Sequence, residues 1–276
     1  MAGDATAEIL LDPDAHPVLG HRGAAGIAPE NTIESFRAAV EQGVDAFEFD
    51  THVTADGVPI VIHDPTLDRT TGGAGRVAAL RLEQVQSADA GARFTVDGGR
   101  SFPWRGRGLR VPTLAELVAT FPDMPLVIEL KTARAQHAVK RVLAEHDAAR
   151  RCILAASDSS ALDTFRERPW TLGAATDDVA RLRFPFLPAR AATGSSYRAL
   201  FVPVRYYGIP VPTRRFVQAA RRAGVPVHVW TVDSPDSARQ LWRDGMSGIV
   251  SNFPARMRDV RDALFGRPEA GLEAER

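Results

Sequence analysis

Along this chain, short apolar runs rich in β-branched residues alternate with stretches whose apolar positions recur at helical spacing. The strand-like runs fall at residues 18–21, 46–50, 59–63, 126–131, 152–156, 172–175, 200–204, 227–232 and 248–251. Such alternation predicts an α/β fold around a parallel sheet. There are nine candidates for the eight places of a closed barrel, so one of them is expected outside the ring. The first helix has the clearest start, because Asn31 followed by Glu34 has the form of a capping box, and Gly43 can supply the left-handed residue at its end. Ile33, Phe36 and Val40 would then face the sheet. Further helices are predicted over 114–120, 136–147, 160–168, 214–223 and 235–244, most of them followed by Gly or Pro.

Two stretches break the rhythm. Between Asp50 and Pro59 there is room only for a turn at Asp56-Gly57 and an extended return. Residues 64–110 are rich in Gly and Arg and weakly periodic, too long for a structureless connection. They read as an insertion with one helix near residues 80–88, lying over one end of the barrel. The polar tail 266–276 is expected to fray. The chain is thus expected to form one domain over 1–276, with its core within about 18–262 and the insertion at about 64–110.

Composition narrows the possible partners. With 276 residues and 45% hydrophobic content the chain can bury one barrel-sized core or two small ones. Lys plus Arg equals Asp plus Glu at 34 each, so no basic field exists to attract nucleic acid. The only lysines are Lys131 and Lys140. A single cysteine, Cys152, excludes an internal disulfide, and its apolar neighbours Ile153 and Leu154 mark it as a core residue. Residues 1–17 carry four acids and do not resemble a signal peptide, and no apolar run approaches the roughly 18 residues of a membrane span. The expectation is a cytoplasmic protein without an integral membrane segment, its oligomeric state left open.

Candidate chemistry comes from strand alternation. In 46–50 Glu48 and Asp50 share one face while Phe47 and Phe49 share the other. With the Phe rings packed on helices, both acids point into the barrel, where they would repel unless a hard divalent cation sits between them. A solvated edge strand is the plain alternative. In 126–131, Val127, Glu129 and Lys131 share a face, adding a third carboxylate and a cation, or else a structural ion pair. His21 and His63 each end a predicted strand, which in a parallel barrel brings both to the C-terminal rim. Imidazoles there suit acid and base work near neutral pH. Arg22 and Lys131 could hold phosphate oxygens. Trp230 shares a face with His228 and could wall a substrate or simply fill the core.

Taken together, these stretches resemble the glycerophosphodiester phosphodiesterase family. The matching pieces are His21-Arg22-Gly23, Pro29-Glu30-Asn31-Thr32, Glu48-Phe49-Asp50, Asp56-Gly57, His63-Asp64 running to Leu67, Arg69 and Thr70, Glu129-Leu130-Lys131 and Trp230-Thr231-Val232. The resemblance implies a (β/α)8 TIM barrel with a small inserted subdomain after the third strand. It implies metal ligands at Glu48, Asp50 and Glu129 for one Mg²⁺ or Ca²⁺, paired catalytic histidines at His21 and His63, and phosphate contacts at Arg22 and Lys131. Two positions depart from the family's habit. Ser251-Asn252 stands where Thr-Asp is common, and Asp233 stands where Asn commonly follows Trp-Thr-Val.

The activity so implied is metal-dependent hydrolysis of a small glycerophosphodiester to sn-glycerol 3-phosphate and an alcohol, one histidine activating the attacking oxygen and the other protonating the leaving one. The nearest rival is a lysophospholipase D-like reaction on a substrate that keeps its acyl chain, with Phe94, Phe102, Trp104 and Tyr206 as candidates for a greasy mouth. A phosphodiester-binding barrel without turnover would require loss of a catalytic group, and none is missing.

Overall fold

The structure is a computed structural model that describes residues 6–183 and 197–266. Its strands are β1 (Val18–His21), β2 (Ala46–Val53), β3 (Pro59–Val61), β4 (Leu126–Leu130), β5 (Cys152–Ala155), β6 (Thr171–Leu172), β7 (Leu200–Pro203), β8 (Arg205–Tyr206), β9 (Ile209–Pro210), β10 (Val227–Trp230) and β11 (Gly248–Ser251). Eight of them lie side by side in the order β6-β5-β4-β2-β1-β11-β10-β7, every neighbouring pair parallel. A parallel bridge between Gly173 and Ala199 joins the two ends, with the Ala174 amide donating to the Ala199 carbonyl at 2.9 Å and Arg198 to Leu172 at 2.8 Å. The curled sheet has the parallel α/β character that the alternating pattern predicts and the barrel form that the family resemblance implies.

The ninth candidate strand is the one outside the ring. β3 pairs antiparallel with the far end of β2, Thr51 opposite Val61 and Val53 opposite Pro59. The connection is the tight return expected at Asp56-Gly57, where Gly57 takes φ 82° and Thr54 Oγ1 donates to Asp56 Oδ1. His63 therefore reaches the rim from a hairpin that folds back over it and not from a barrel strand. Its place is pinned by His52, whose Nε2 hydrogen bonds to the His63 carbonyl at 3.1 Å.

Alternation sorts the barrel residues as expected. Phe47, Phe49, Leu126, Ile128, Cys152 and Leu154 point outward into a core shared with α1 (Ile33–Glu41), α3 (Leu114–Thr120) and α4 (Gln136–Glu145). The Phe36 ring packs tilted against Phe47 and edge-on to Phe49, with ring centres 4.9 and 5.7 Å apart. Burial among these groups pushes the Cys152 thiol up to about 12, as for an inert core residue. Inside the barrel, Leu19, Ala46, Val127, Ile153 and Val250 form one apolar layer, plugged from below by Ala7 and Leu10 of the N-terminal segment.

Several helices differ from expectation. The N-cap of α1 is Thr32, whose hydroxyl accepts from the Ser35 amide, because Asn31 adopts φ 58° and turns its side chain inward. Ala39 takes the buried position expected of Val40, which is 44% exposed. The segment expected as a helix over 160–168 is a 3-10 run, Ser159–Phe165. Two helices without a clear apolar stripe escaped the pattern, α5 (Thr176–Arg183) and α8 (Pro254–Phe265), while α6 (Arg214–Arg222) and α7 (Pro235–Arg243) lie where periodicity puts them. In the inserted stretch, α2 (Leu82–Gln86) joins Leu67, Val77, Ala88 and Leu109 in a separate small core beneath β3. The tail expected to fray lies, beyond Gly266, outside the described residues. Among the described residues no helix is long and apolar enough to cross a membrane.

His228 sits at the bottom of the barrel, fully buried, stacked on Phe201 at 4.8 Å, with Nε2 bonded to the Leu10 carbonyl at 2.9 Å. Desolvation lowers its pKa to about 4. The unfolded chain takes up this proton first, so stability falls as pH drops from about 6.5 toward 4, by on the order of 3 kcal/mol in the limit. Urea unfolding at pH 8 and pH 5 is expected to show a smaller acid loss in His228→Gln than in the natural protein. Parallel pH dependence of the two proteins would contradict this.

Candidate active site

Register brings the inward carboxylates together. β1 and β2 pair with His21 opposite Glu48, and β2 and β4 pair with Asp50 opposite Glu129. Glu48, Asp50 and Glu129 each offer an oxygen within 4.8 Å of the others. Lys131, which follows β4, places Nζ 2.8 Å from Asp50 Oδ1 and 2.9 Å from Glu129 Oε2. Arg22, held at φ 52° just past β1, brings Nε within 3.2 Å of Asp50 Oδ2. The following Gly23 has φ 86°, and a Cβ there would meet the Ser35 backbone at 2.5 Å, so the turn that aims Arg22 needs glycine.

The electrostatics are uneven across the three acids. Burial, compounded by repulsion from Asp50 and Glu129, raises the Glu48 carboxyl well above its usual range. Burial also acts to raise Asp50, but Lys131 and Arg22 prevail and hold it below its ordinary value. Lys131 is correspondingly raised, since attraction by Asp50 and Glu129 outweighs its desolvation. Glu48 Oε2 is buried and has no hydrogen-bond partner among the described residues. An all-oxygen cluster with an orphaned carboxylate oxygen fits a hard divalent cation, which takes carboxylate and water ligands.

The two histidines line the same cavity of about 380 Å³ as this cluster. His21 Nε2 is 3.9 Å from Glu48 Oε2, and its Nδ1 lies 2.7 Å from Asn252 Oδ1. Desolvation, with the Arg22 charge beside it, lowers the His21 pKa. His63 Nδ1 is 2.6 Å from Asp64 Oδ1. Asp64 is held far below the usual carboxylate range, chiefly by hydrogen bonds from Arg69.

A chain of ion pairs then runs around the rim. Arg69 donates to both oxygens of Asp64 and both of Glu30 at 2.7–2.9 Å, and Arg22 Nη1 donates to Glu30 Oε1 at 2.7 Å. Burial would raise Glu30, yet the two guanidiniums keep it below normal. Asn31 Nδ2 reaches Asp50 Oδ2 at 3.3 Å. Every residue singled out from the sequence, namely His21, Arg22, Glu48, Asp50, His63, Glu129, Lys131 and Trp230, lines this one cavity. Glu30, Asn31, Asp64 and Arg69 were visible only as pieces of motifs, and their roles as supports required the fold.

The opposite wall is apolar, built from Val179, Ala180, Phe201, Pro203, Val211 and Trp230. It continues into the β8–β9 hairpin, where Tyr206 and Ile209 line the cavity and Tyr207 stands 90% exposed. Of the four aromatics proposed for a greasy mouth, only Tyr206 lies here. Trp104 packs in the core of the inserted stretch, and Phe102 lies beneath the Arg105 guanidinium at 3.9 Å from its ring centre.

A parallel barrel with three carboxylates, two histidines and two cations lining one rim cavity defines a phosphodiesterase-type barrel enzyme. The chain belongs to the glycerophosphoryl diester phosphodiesterase family, whose model matches residues 21–256. It is similar to YhdW of Bacillus subtilis, which carries the name glycerophosphodiester phosphodiesterase provisionally, at 30% identity over 242 residues, covering 86% of this chain and 94% of that one. A glycerophosphodiester phosphodiesterase of Caldanaerobacter subterraneus is 29% identical over 244 residues, with 86% and 94% coverage. An Oleispira antarctica phosphodiesterase, solved in complex with its product sn-glycerol-3-phosphate, shares the fold at a TM-score of 0.72, with 23% identity and coverage of 89% and 96%.

The raised Glu48 pKa has a stability consequence. A group whose folded pKa exceeds its unfolded value destabilises the folded state increasingly as pH rises through the folded value. Metal-stripped Glu48→Gln is therefore expected to melt at a higher temperature than the metal-stripped natural protein at pH 8, with the gap closing below pH 4.5. Added Mg²⁺ or Ca²⁺ should raise the melting temperature of the natural protein more than that of the variant. A variant less stable at pH 8 without metal, or equally responsive to it, would refute this picture.

Proposed function

We propose that this enzyme hydrolyses glycerophosphodiesters to sn-glycerol 3-phosphate and an alcohol, with one divalent cation and a pair of histidines. The observation that carries the reading is the convergence of Glu48, Asp50 and Glu129 with His21 and His63 in one rim cavity. The three carboxylates would hold Mg²⁺ or Ca²⁺, which when bound neutralises charge on a phosphoryl oxygen. Lys131 and Arg22 orient the phosphate through its non-bridging oxygens. One imidazole takes the proton of the attacking oxygen while the other delivers a proton to the departing alcohol. Asp64 and its partner Arg69 keep the His63 ring in place for its share of that transfer.

Glycerol 3-phosphate release from glycerophosphocholine is the direct test, using metal-stripped protein with Mg²⁺ or Ca²⁺ returned. Product should appear on metal addition and be lost in Glu48→Ala. His21→Ala and His63→Ala should each lower kcat by about 10²–10⁴ with a near-natural melting temperature. Undiminished turnover in either variant would remove that histidine from the mechanism.

A second reading, a lysophospholipase D-like reaction, is favoured by the apolar wall from Phe201 to Trp230 and its extension into Tyr206 and Ile209. Trp230, 40% exposed at the end of β10, offers a flat surface for a substrate's apolar part. Under this reading kcat/KM for lysophosphatidylcholine exceeds that for glycerophosphocholine, and Trp230→Ala raises KM for the lipid more than for the soluble diester. A higher kcat/KM for glycerophosphocholine, unchanged in Trp230→Ala, would favour the soluble substrate.

A further inference from the structure

The two departures from the family's habit, Asp233 and Asn252, meet each other behind His21. Asn252 follows β11 and Asp233 lies three residues past β10, so neighbouring strand ends bring them beside the end of β1. Asn252 Nδ2 donates to Asp233 Oδ2 at 2.7 Å, and the Asn252 backbone amide donates to Asp233 Oδ1 at 2.8 Å. Ser251 Oγ adds a third bond to Asp233 Oδ1 at 2.9 Å and accepts from the Phe253 amide at 3.0 Å. An ionised carboxylate can only accept, so the amide nitrogen of Asn252 must face Asp233 and its oxygen must face His21. At 2.7 Å from that oxygen, His21 Nδ1 must then carry a hydrogen.

We infer that Asp233 and Asn252 form a positioning pair that fixes the tautomer of His21. Its proton is held on Nδ1, and the Nε2 lone pair is aimed past Glu48 into the cavity. The pair exchanges the usual residue types between two strand ends. The carboxylate common after β11 stands after β10, and the amide that commonly follows Trp-Thr-Val has taken its place beside the imidazole. An amide alone could turn either way and would accept or donate to the ring indifferently; Asp233 removes that freedom. Because both sites change together, the hydrogen-bond polarity toward His21 is preserved although the residue touching it is neutral. This rests on the proposed proton-handling role of His21 for its kinetic consequences, but not for the tautomer itself.

The test uses Asp233→Asn, Asn252→Asp and the reciprocal double exchange, read in two ways. Two-bond ¹H–¹⁵N correlation spectra of histidine-labelled, metal-free natural protein, at a pH where His21 is neutral, should show hydrogen on Nδ1. Asp233→Asn, which leaves two amides facing each other, should show a mixture of tautomers and lose about 10- to 100-fold in kcat with KM changed less than about threefold. Asn252→Asp places two carboxylates in contact and should lose a comparable factor. The double exchange should return the Nδ1–H signature and recover at least about tenfold in kcat over either single variant. Hydrogen on Nε2 in the natural protein overturns the inference, whether or not the variants fold. So do single variants with natural kcat, or losses that multiply in the double exchange. If no glycerophosphodiester is turned over, the spectra alone decide, which separates failure of this inference from failure of the proposed reaction.

Discussion

Three carboxylates crowded inside one end of a barrel are the constraint around which this structure is organised. Left alone they would repel one another in surroundings that screen them poorly, and the partly buried Glu48 shows that strain in its raised pKa. Two cations offset part of it. Lys131 bridges Asp50 and Glu129, and Arg22 leans on Asp50 from the neighbouring strand end. The remainder, including a Glu48 oxygen with no hydrogen-bond partner among the described residues, is what makes the cluster compatible with a divalent cation.

That requirement propagates outward. Arg22 can serve Asp50 only because Glu30 holds its other end, and Glu30 is shared with Arg69, which in turn grips Asp64 behind His63. A single chain of alternating charges thus links the carboxylate cluster to one histidine. The second histidine is supported separately by Asn252 and Asp233. Each imidazole has a hydrogen-bond partner on Nδ1, although one partner is a carboxylate and the other an amide whose direction is imposed by a carboxylate. Beneath them, an apolar layer and the neutral His228 close the barrel, so the polar layer is confined to the rim.

The two halves of the cavity are built on different principles. The carboxylate side is rigid because its groups sit on consecutive strands with enforced register, the surroundings in which preorganised charge is most effective. The other side is made of β7, β10, α5 and the exposed β8–β9 hairpin, where Tyr206, Tyr207 and Ile209 present apolar surface to solvent. Apolar surface of this kind at a cavity mouth is a means of selecting a substrate's leaving portion without touching the reacting phosphate.

Much of this was already present in the one-dimensional pattern. Alternation in Glu48-Phe49-Asp50 and in Val127 to Lys131 dictates which side chains face inward, because successive strand residues must point to opposite faces, and this holds whatever the tertiary partners. The parallel α/β class followed from the same pattern, since parallel strands need intervening helices, whereas closure into a barrel was implied by the family resemblance. What the pattern left undecided depended on long-range contacts. It left open which of the nine candidate strands lies outside the ring, because the local spacing of a returning hairpin and of a ring strand is the same, and only antiparallel pairing with β2 singles out β3. It assigned the helix cap to Asn31 because the residue type permits it, whereas attraction to Asp50 draws that side chain inward and leaves Thr32 to cap. Asp233 and Asn252 read in sequence as two unrelated departures 19 residues apart. Only the adjacency of β10, β11 and β1 shows them to be one hydrogen-bonded unit, because which strand ends become neighbours is a property of the closed sheet and not of any segment of the chain.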